Sequence, residues 1–507
     1  MDFASTSGLA LNFLFSTKEH KGNSMERTYD VVLWGVTGYT GNLAAKYMIE
    51  QYGIPSSYIA QWQKNNSRDE YSDVSSKERS EATSSDGIPL YAFAGRDIAK
   101  LTKVRDELST SMKKPEVSSI PLLVADSMDY PSLLALTAQT KTIASFTGPF
   151  LRLGENLVRA CVTNGTHYCD ITGEFPFVKD MKEKFDVMAR EQKVKIVHFC
   201  GFDSIPSDLG TLLLQEFAIS KFGVPCSEIR FRILEMFGGI SGGTIASAVG
   251  MHAARRSDKA LYDNPLYLCS IDEEDGELYE ANQTNRRALN VQTYEQEANY
   301  VAPFPMAPIN SKVVWWTNYL LNYRYGKSFV YNEAMGNFGS SISASLYTLS
   351  LKLAMFFLRF APIRMLLSKL FIPNPGEGPS EEKLRKGHFF ARIFGKCLDA
   401  SGCSHSISAS VRCDGDPGYA GTAKMACESC LCVAFEEKAC PSTYGVLSPA
   451  VAFGACLVVR LRAANILFRL DDESFDVLAL ESSFIAVLNK AAVTPAHRLD
   501  RNPYRKV

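Results

Sequence analysis

The sequence has no strongly basic stretch, because its 54 lysines and arginines are balanced by 55 aspartates and glutamates, for a net charge of -1. A nucleic-acid-binding protein normally carries a basic stripe that faces the phosphates. The chain also lacks the dense, regular cysteines of a small disulfide scaffold, since its 13 cysteines are irregularly spaced over 507 residues. We therefore expect no nucleic-acid partner, and reduced thiols in an intracellular protein.

The first residues lack the features of a secretory signal. The apolar run LALNFLF has no basic segment before it and no clear cleavage site after it. Residues 1–26 are therefore predicted to be an N-terminal extension. Residues 471–507 are predicted to be a C-terminal tail, to which the sequence assigns no function.

Short apolar runs alternate with helical patterns from Tyr29 onward. The runs DVVLWG, IPLYAFAGR, IPLLVAD, KTIASFTGPF, HYCDITGE and VKIVHFCGFDS are typical of six strands. This alternation predicts an α/β fold, with a Rossmann-type doubly wound parallel sheet over residues 27–205 and a polar insertion at about 62–87. Residues 206–470 are predicted to form a second α+β domain that binds substrate. In it, the run VVWWTNYLLNYRYGKSFVYNEAM suggests strands and loops, and GTAKMACESCLCVAFEE suggests a buried helix.

Three glycines spaced by three follow the first strand, in the run VVLWGVTGYTG. The first glycine would allow a tight turn, the second a close approach of the backbone to a pyrophosphate, and the third close packing of the next helix. The helix amides would then face the anion. The predicted cofactor-binding residues of this turn are Gly35, Thr37, Gly38, Tyr39, Thr40 and Gly41. The alternative is a turn that serves packing alone.

Residues at the ends of the next strands extend this prediction. Arg96 ends the second strand, where an acidic residue would bind the ribose of NAD and an arginine suits the 2′-phosphate of NADP; the alternative is an ordinary surface arginine. Asp126, at the end of the third strand, is placed to reach the adenine, and Thr147, Gly148 and Pro149 end the fourth strand on the nicotinamide side. The sequence thus predicts NADP as cofactor, with NAD as the alternative.

Longer motifs around these residues resemble a known family. The segments VVLWGVTGYTGNLAAKYM, SFTGPFLRLGENLVRACVTNGTHYCDITGE, CGFDSIPSDLG and PGYAGTAKMACESCL are similar to those of the saccharopine dehydrogenase-like oxidoreductases, which include the trans-acting enoyl reductases. The resemblance covers roughly residues 29 to 470. It implies a Rossmann domain with an α/β domain and NADP or NAD. It also implies association of animal members with lipid droplets and membranes, and reduction by bacterial members of a lipid-chain double bond made by a partner synthase.

One segment departs from the family pattern. Where relatives tend to have VVRRS or VVRRT, this chain has Val313, Val314, Trp315, Trp316 and Thr317. The loss of two positive charges puts in doubt any contact to an anionic group or an acyl carrier at this place.

Acidic and hydroxyl residues gather at the ends of the fifth and sixth strands. They are Asp170, Glu174, Asp203, Ser204, Ser207 and Asp208. A reductase needs hydride geometry and one proton donor, so Asp203 and Ser204 are the candidate catalytic residues. The alternative for each residue is helix capping before IPSDLGTLLLQEF. A Tyr-x-x-x-Lys pair, which could serve as proton donor, is missing beside the cofactor segments.

The cysteines of CESCLC suggest a metal site only weakly. Cys427, Cys430 and Cys432 lie within a predicted helix, Cys440 follows, and no second C-x-x-C motif completes a zinc site. We interpret them as small buried apolar residues and expect no metal.

The segment 343–372 is apolar and lies in a stretch without acids from Ser340 to Pro375. It carries Lys352, Arg359, Arg364 and Lys369, which suit an interfacial helix or shallow hairpin whose basic side chains reach anionic headgroups. The alternative is a buried helix of the second domain.

These features together predict an NADP-dependent oxidoreductase that reduces a lipid-like substrate at a membrane or lipid-droplet surface, in lipid or glycolipid metabolism. The expected partners are that substrate, the membrane or droplet surface, and a second copy of the chain in a homodimer. One alternative is a catalytically silent nucleotide-binding protein on membranes or droplets. The other is a true saccharopine dehydrogenase of lysine metabolism, for which the sequence offers no convincing basic site for a substrate with several carboxylates.

Overall fold

The computed structural model describes residues 27–66, 87–238, 264–270, 294–357, 360 and 378–472. The predicted N-terminal extension lies outside these residues, and so do most of the polar insertion, the second half of the hydrophobic segment and all but two residues of the C-terminal tail.

Short strands and helices alternate along the first part of the described chain, and the longest strands follow in the second part. The strands are β1 (Tyr29–Trp34), β2 (Tyr91–Gly95), β3 (Leu122–Val124), β4 (Thr140–Ser145), β5 (His167–Asp170), β6 (Lys195–Val197), β7 (Glu228–Phe237), β8 (Tyr294–Glu295), β9 (Asn299–Pro303), β10 (Val330–Phe338), β11 (His388–Leu398), β12 (Ser404–Asp414), β13 (Gly445–Leu447) and β14 (Ile466–Leu470). The helices are α1 (Tyr39–Gln51), α2 (Ser56–Asn66), α3 (Ile98–Ser111), α4 (Tyr130–Thr137), α5 (Phe150–Leu153), α6 (Glu155–Asn164), α7 (Phe175–Glu191), α8 (Ile205–Phe222), α9 (Ala307–Leu320), α10 (Ser341–Phe357), α11 (Glu381–Lys386), α12 (Thr422–Glu436) and α13 (Pro449–Ala463).

The first sheet is parallel, with the strand order β13-β6-β5-β4-β1-β2-β3. The order reverses between β1 and β4, as in Rossmann folds, where the crevice at this reversal binds the ligand. Both faces of β1 are buried, since Val31 and Leu33 pack into one core while Val32 and Trp34 pack into another. A central strand covered on both faces must be apolar throughout, which explains the run YDVVLW. The predicted doubly wound fold is confirmed.

The seventh strand of this sheet comes from far along the chain. β13 pairs with β6, with Gly445 opposite Lys195 and Leu447 opposite Val197. The sequence analysis assigns residues 206–470 to the second domain, but within that range β13 extends the first sheet and α12 packs on α1 and β4. The C-terminal part of the chain therefore returns to complete the dinucleotide-type sheet.

The second sheet is mixed, with the order β14-β12-β11-β7-β10-β9-β8. β11 pairs antiparallel with β7 and β12, whereas β7 and β10 run parallel. Helix α8 is buried along most of its length and packs on β11, β12 and α13, which joins the two sheets. This mixed sheet with its helices confirms the predicted second α+β unit.

The run VVWWTNYL forms helix α9, so the prediction of strands and loops there is wrong. Trp315 packs into one core and Trp316 into the other, and both side chains are fully buried. A helix enclosed between two cores is apolar on all sides, and a short apolar run of this kind has no period that separates helix from strand.

Candidate dinucleotide-binding site

The glycine turn after β1 takes a conformation that requires glycine at two positions. Gly35 has a φ of +94°, and a Cβ atom there would lie 2.2 Å from Thr147 Oγ1. A Cβ atom on Gly41 would lie 2.2 Å from the carbonyl oxygen of Gly35. The first glycine thus lets the turn pass beneath the β4 loop, and the last lets α1 start directly against the end of β1.

The N-terminus of α1 has free backbone amides where this turn ends. Helix α1 begins at Tyr39, its cap residue Gly38 offers no side-chain acceptor, and its first turn has no acidic residue. The first amides of a helix have no acceptor within the helix and carry the positive end of its dipole. Thr37 is exposed, while Gly38, Tyr39 and Thr40 are partly exposed. The turn therefore presents donors and positive potential to an anion from solvent.

Arg96 lies at the adjacent tip of β2 with its side chain exposed. The acidic residue beside it, Asp97, already accepts hydrogen bonds from the amides of Ala99 (3.0 Å) and Lys100 (3.2 Å) as the cap of α3. Asp97 is thus engaged in its own helix, whereas the guanidinium extends from the same edge of the sheet as the glycine turn. This arrangement suits a phosphate on the ribose better than an unmodified ribose hydroxyl.

Asp126 follows β3 at the same edge and is partly exposed. Its Oδ1 accepts a hydrogen bond from the amide of Met128 (2.8 Å), and its own amide donates to Ser132 Oγ (3.0 Å). These bonds fix the loop that borders the predicted adenine side.

The loop after β4 holds Thr147, Gly148 and Pro149 at the opposite side of the turn, with Gly148 exposed. The buried carboxylate of Glu174 accepts hydrogen bonds from the amides of Phe150 (3.2 Å) and Leu151 (2.9 Å). The sequence analysis places Glu174 among the polar residues of a reaction pocket. In the structure it positions the β4 loop.

Asp170 is fully buried at the end of β5. Its Oδ2 lies 2.7 Å from His198 Nδ1 and accepts a hydrogen bond from the Tyr168 hydroxyl (3.0 Å), while its Oδ1 accepts one from the Thr172 amide (3.1 Å). A carboxylate with these partners and no exposed surface stabilises the strand ends of the first sheet and cannot contact a substrate.

Asp203 is the partly exposed carboxyl in the loop between β6 and α8. Its Oδ2 lies 3.9 Å from where a Cβ atom on Gly173 would be, and it accepts no hydrogen bond from the residues that the structure describes. Burial raises the pKa of Asp203 to about 6. A partly exposed carboxyl with a raised pKa and no hydrogen-bond donor among the described residues is suited to proton transfer near neutral pH.

Ser204 occupies the cap position of α8, but its side chain does not cap the helix. It is buried, and its hydroxyl donates to Asn310 Oδ1 (3.3 Å). Asn310 in turn donates to Glu333 Oε1 (2.9 Å). Of the two candidate catalytic residues, Asp203 is therefore partly exposed and Ser204 is buried in the interior.

Ser207 and Asp208 point into the junction of the two sheets. Ser207 donates to Glu333 Oε1 (3.2 Å), and Asp208 accepts from the Thr317 hydroxyl (2.5 Å) and the Ala450 amide (2.8 Å). Burial raises the pKa of Asp208 to about 7. Both residues therefore stabilise the junction and do not line the cleft.

Glu333 is a buried acid that the sequence analysis does not single out. Besides Asn310 and Ser207, the hydroxyl of Tyr331 donates to it (3.0 Å), and burial raises its pKa to about 7. It borders a cavity of about 10 Å³, enough for one water molecule, together with Phe202. An acid in a strand of alternating polarity carries no local signal of burial, so only the tertiary structure identifies it.

The positions of the missing basic pair are closed to ligands. Trp315 and Trp316 lie wholly inside the two cores, so the places where relatives tend to have arginines do not face the cleft here.

The cysteines of CESCLC do not converge on one point. Cys427 Sγ lies 3.9 Å from the Ala44 oxygen and Cys430 Sγ lies 3.6 Å from the Ile143 oxygen, both within the core. Cys432 and Cys440 instead meet Cys456, a residue that the sequence analysis does not consider.

No family model matches the sequence. A Mycobacterium tuberculosis protein named as a trans-acting enoyl reductase is 30% identical over 449 residues, which cover 87% of this chain and 97% of that protein. The trans-acting enoyl reductase of Mycobacterium ulcerans is 27% identical over 453 residues, with the same coverage. Among solved structures, the saccharopine dehydrogenase (L-Glu forming) of Saccharomyces cerevisiae is 10% identical and covers 87% of this chain and 99% of its own, at a TM-score of 0.42.

Proposed function

The chain belongs to the saccharopine dehydrogenase-like oxidoreductases, the family of the trans-acting enoyl reductases, and from this premise we propose that it is an NADP-dependent reductase of an unsaturated lipid-like acyl substrate. The observation that supports the proposal most is the glycine turn. Its exposed amides, its glycines without room for a Cβ atom and the neighbouring guanidinium of Arg96 together match the shape and charge of a phosphorylated dinucleotide.

The residues present fit this cofactor. The amides of Tyr39 and Thr40 at the start of α1 would bind the pyrophosphate, whereas the Gly38 amide donates to the carbonyl oxygen of Gly35 (3.0 Å). Arg96 would bind the 2′-phosphate of the adenosine ribose. When bound, NADPH supplies the hydride. Glu174 holds the loop of Thr147 to Pro149 in place through two amides, and this loop would border the nicotinamide half.

Asp203 is the proposed proton donor. Reduction of a conjugated double bond adds hydride to one carbon and a proton to the next, so one acid must stand near the cofactor's reactive end. Asp203 lies in the loop between β6 and α8, and its raised pKa of about 6 keeps part of it protonated near neutral pH. Ser204 and Asn310 link the start of α8 to Glu333 and hold Asp203 in position.

The lipid-like character of the substrate is inferred from helix α10. Six large apolar side chains of this helix are between 46% and 72% exposed, namely Ile342, Leu346, Leu349, Leu353, Phe356 and Phe357. Their spacing of three and four residues puts them on one face. Ala344 and Thr348 on the opposite face are buried, and Tyr347 contacts Phe338 of β10, with 5.2 Å between ring centroids. Helix α10 is thus anchored by one side and leaves an apolar stripe uncovered by the described residues.

We infer that this stripe rests on a lipid surface. The described helix has no acidic residue and carries exposed Lys352, which suits contact with anionic headgroups. At about 1.5 Å per residue its 17 residues extend roughly 25 Å. In the described part of the chain no helix combines the length and the apolar character needed to cross a membrane. The stripe therefore suits a helix that lies in the interface and brings the enzyme to its apolar substrate.

Turnover tests this function. The purified chain, with NADPH and a long-chain α,β-unsaturated acyl coenzyme A in vesicles, is expected to oxidise NADPH and to yield the saturated acyl product. The rate should fall as the pH rises through about 6, because the protonated form of Asp203 is the donor. Asp203→Asn should lower kcat by about 100-fold and abolish this pH dependence, whereas Ser204→Ala should keep it.

The results of this assay distinguish a reductase from a protein that binds NADPH without turnover. NADPH binding without product from unsaturated acyl or carbonyl lipids would favour the catalytically silent protein. An Asp203→Asn variant with full activity and an unchanged pH profile would remove Asp203 from the mechanism.

A further inference from the structure

Three cysteines from separate parts of the C-terminal region meet beneath the surface. Cys432 lies near the end of α12, Cys440 in the connection after it, and Cys456 in α13. The sulfur of Cys432 is 3.4 Å from that of Cys440 and 3.3 Å from that of Cys456, and all three sulfurs lie within 4.8 Å of one another. All three side chains are buried and none forms a disulfide.

These contacts are closer than apolar packing and correspond to hydrogen bonds between thiols. Non-bonded carbon atoms pack at about 3.5–4.0 Å, and sulfur is larger than carbon, yet these sulfurs lie closer still. Cys427 on the same helix has its sulfur 3.9 Å from a backbone oxygen, the usual environment of a buried thiol. The trio of Cys432, Cys440 and Cys456 is therefore a distinct arrangement, with three sulfurs directed at one point.

A carboxylate oxygen stands beside this point. Glu436 Oε2 lies 2.8 Å from Cys456 Sγ, while its Oε1 accepts a hydrogen bond from Arg460 (2.7 Å). Arg460 also donates to Glu428 (2.9 Å), so its position is fixed. Glu436 is thus held in place through one oxygen, and its other oxygen accepts a hydrogen bond from the Cys456 thiol.

The buried ammonium group of Lys195 lies near the three cysteines. Lys195 Nζ donates to the carbonyl oxygens of Pro441 (2.5 Å), Thr443 (2.9 Å) and Ala452 (3.0 Å). The first two follow Cys440, and the third lies one helical turn before Cys456. Three thiolates around a dication carry a net charge of about −1 by ordinary charge counting. Lys195 and Arg460 are fixed cations that offset this charge.

We propose that Cys432, Cys440 and Cys456 bind one Zn²⁺ ion as its three protein ligands. Tetrahedral zinc with Zn–S bonds of about 2.3 Å places its sulfurs about 3.8 Å apart. The sulfur of Cys432 needs to move away from each of its two neighbours by only a few tenths of an ångström. Each thiol releases its proton to solvent on binding, and no redox step is involved. The ion ties the end of α12 to α13 around β13, at the edge of the first sheet.

The site is hidden in the sequence because its ligands have no zinc-finger spacing. Cys432 and Cys440 are eight positions apart and Cys456 follows sixteen later. The three sulfurs come together only because α13 folds back on α12.

Cobalt replaces zinc as the probe in the test. The full chain is purified without chelator, reduced, and titrated with Co²⁺ and then Zn²⁺. We expect one equivalent of Co²⁺ with an intense thiolate-to-cobalt charge-transfer band and visible bands of tetrahedral cobalt, which Zn²⁺ displaces. Zinc should also raise the melting temperature by several degrees, since it binds the folded chain.

Variants locate the site. Cys440→Ser and Cys456→Ser should lose the charge-transfer band, whereas Cys427→Ser should retain it. Circular dichroism and NADPH binding identify variants that fold. A folded, reduced chain without the band would overturn the proposal, as would a band that survives in both Cys440→Ser and Cys456→Ser. A native disulfide between Cys432 and either partner, with no metal uptake after reduction, would also overturn it. NADPH binding is read separately, so failure of this site leaves the reductase proposal standing.

Discussion

Arg96 and Asp97 are adjacent in sequence but differ in their contacts, and this difference favours NADP over NAD as the expected cofactor. Asp97 caps α3 through two amides, whereas the guanidinium of Arg96 stays exposed at the edge of the glycine turn. The run AGRD alone leaves open which of the two residues faces the ribose. The cap geometry assigns the acid to the helix and leaves the cation for a phosphate.

Replacing Arg96 tests this assignment. Arg96→Asp should weaken NADPH binding by about 10- to 100-fold, because a charge-assisted hydrogen bond contributes about 1.5–3 kcal/mol. NADH binding should change much less. Titration followed by nicotinamide fluorescence gives both affinities, and Arg412→Asp on the remote β12 serves as the control. Equal losses for NADPH and NADH would argue against a 2′-phosphate at Arg96.

Glu333 makes the stability of the fold depend on pH. Burial raises the pKa of Glu333 from 4.5 to about 7, so the native state retains a proton that the unfolded chain releases. Between those values the native state binds more protons, and the free energy of unfolding falls as the pH rises. Glu333→Gln should remove this contribution, at most about 1.4 kcal/mol per pH unit. Urea unfolding from pH 4.5 to 7 measures the slope, and coincident slopes for parent and variant would contradict the raised pKa.

At the scale of elements, local pattern predicts the first six strands because each is a continuous apolar run. Helix α2 is not anticipated, because its second half lies in the stretch predicted as a polar insertion. Helix α9 is predicted wrongly because its apolar run is buried on all sides. Strand β13 is not anticipated, since its pairing with β6 joins residues far apart in the chain. For helix α10 the sequence predicts an apolar interfacial segment. The structure adds which of its side chains are exposed and which are buried against the second sheet.

The α10 stripe gives a prediction at this scale. A variant with Leu353, Phe356 and Phe357 changed to serine should lose most of its binding to anionic phospholipid vesicles, because these side chains are already exposed and their loss removes apolar area, not core packing. Flotation through a density gradient measures the bound fraction. Val187→Ser with Met188→Ser, which removes exposed apolar groups from α7, should float like the parent. Unchanged flotation of the α10 variant would disprove docking by this helix.

At the scale of the whole molecule, the candidate site depends on both sheets. The first sheet supplies the glycine turn and the strand ends, which are adjacent in a repeating pattern and so are predictable from the sequence. The partners of Ser204, Ser207 and Asp208 lie on β10, α9 and the start of α13, more than a hundred residues away. No local pattern connects them. The sequence therefore predicts the candidate cofactor half of the site, and only the fold separates Asp203 from the acids that stabilise the junction.

Hydrogen–deuterium exchange with and without NADPH tests the central claim, that the turn after β1 binds the dinucleotide. We predict slower exchange of the amides from Val36 to Leu43, with smaller effects at Arg96 and in the loop of Thr147 to Phe150, and no protection of this turn in a folded Gly41→Val variant. Saturating NADPH that leaves the exchange of Val36 to Leu43 unchanged, or protects only segments remote from this edge of the sheet, would contradict the account.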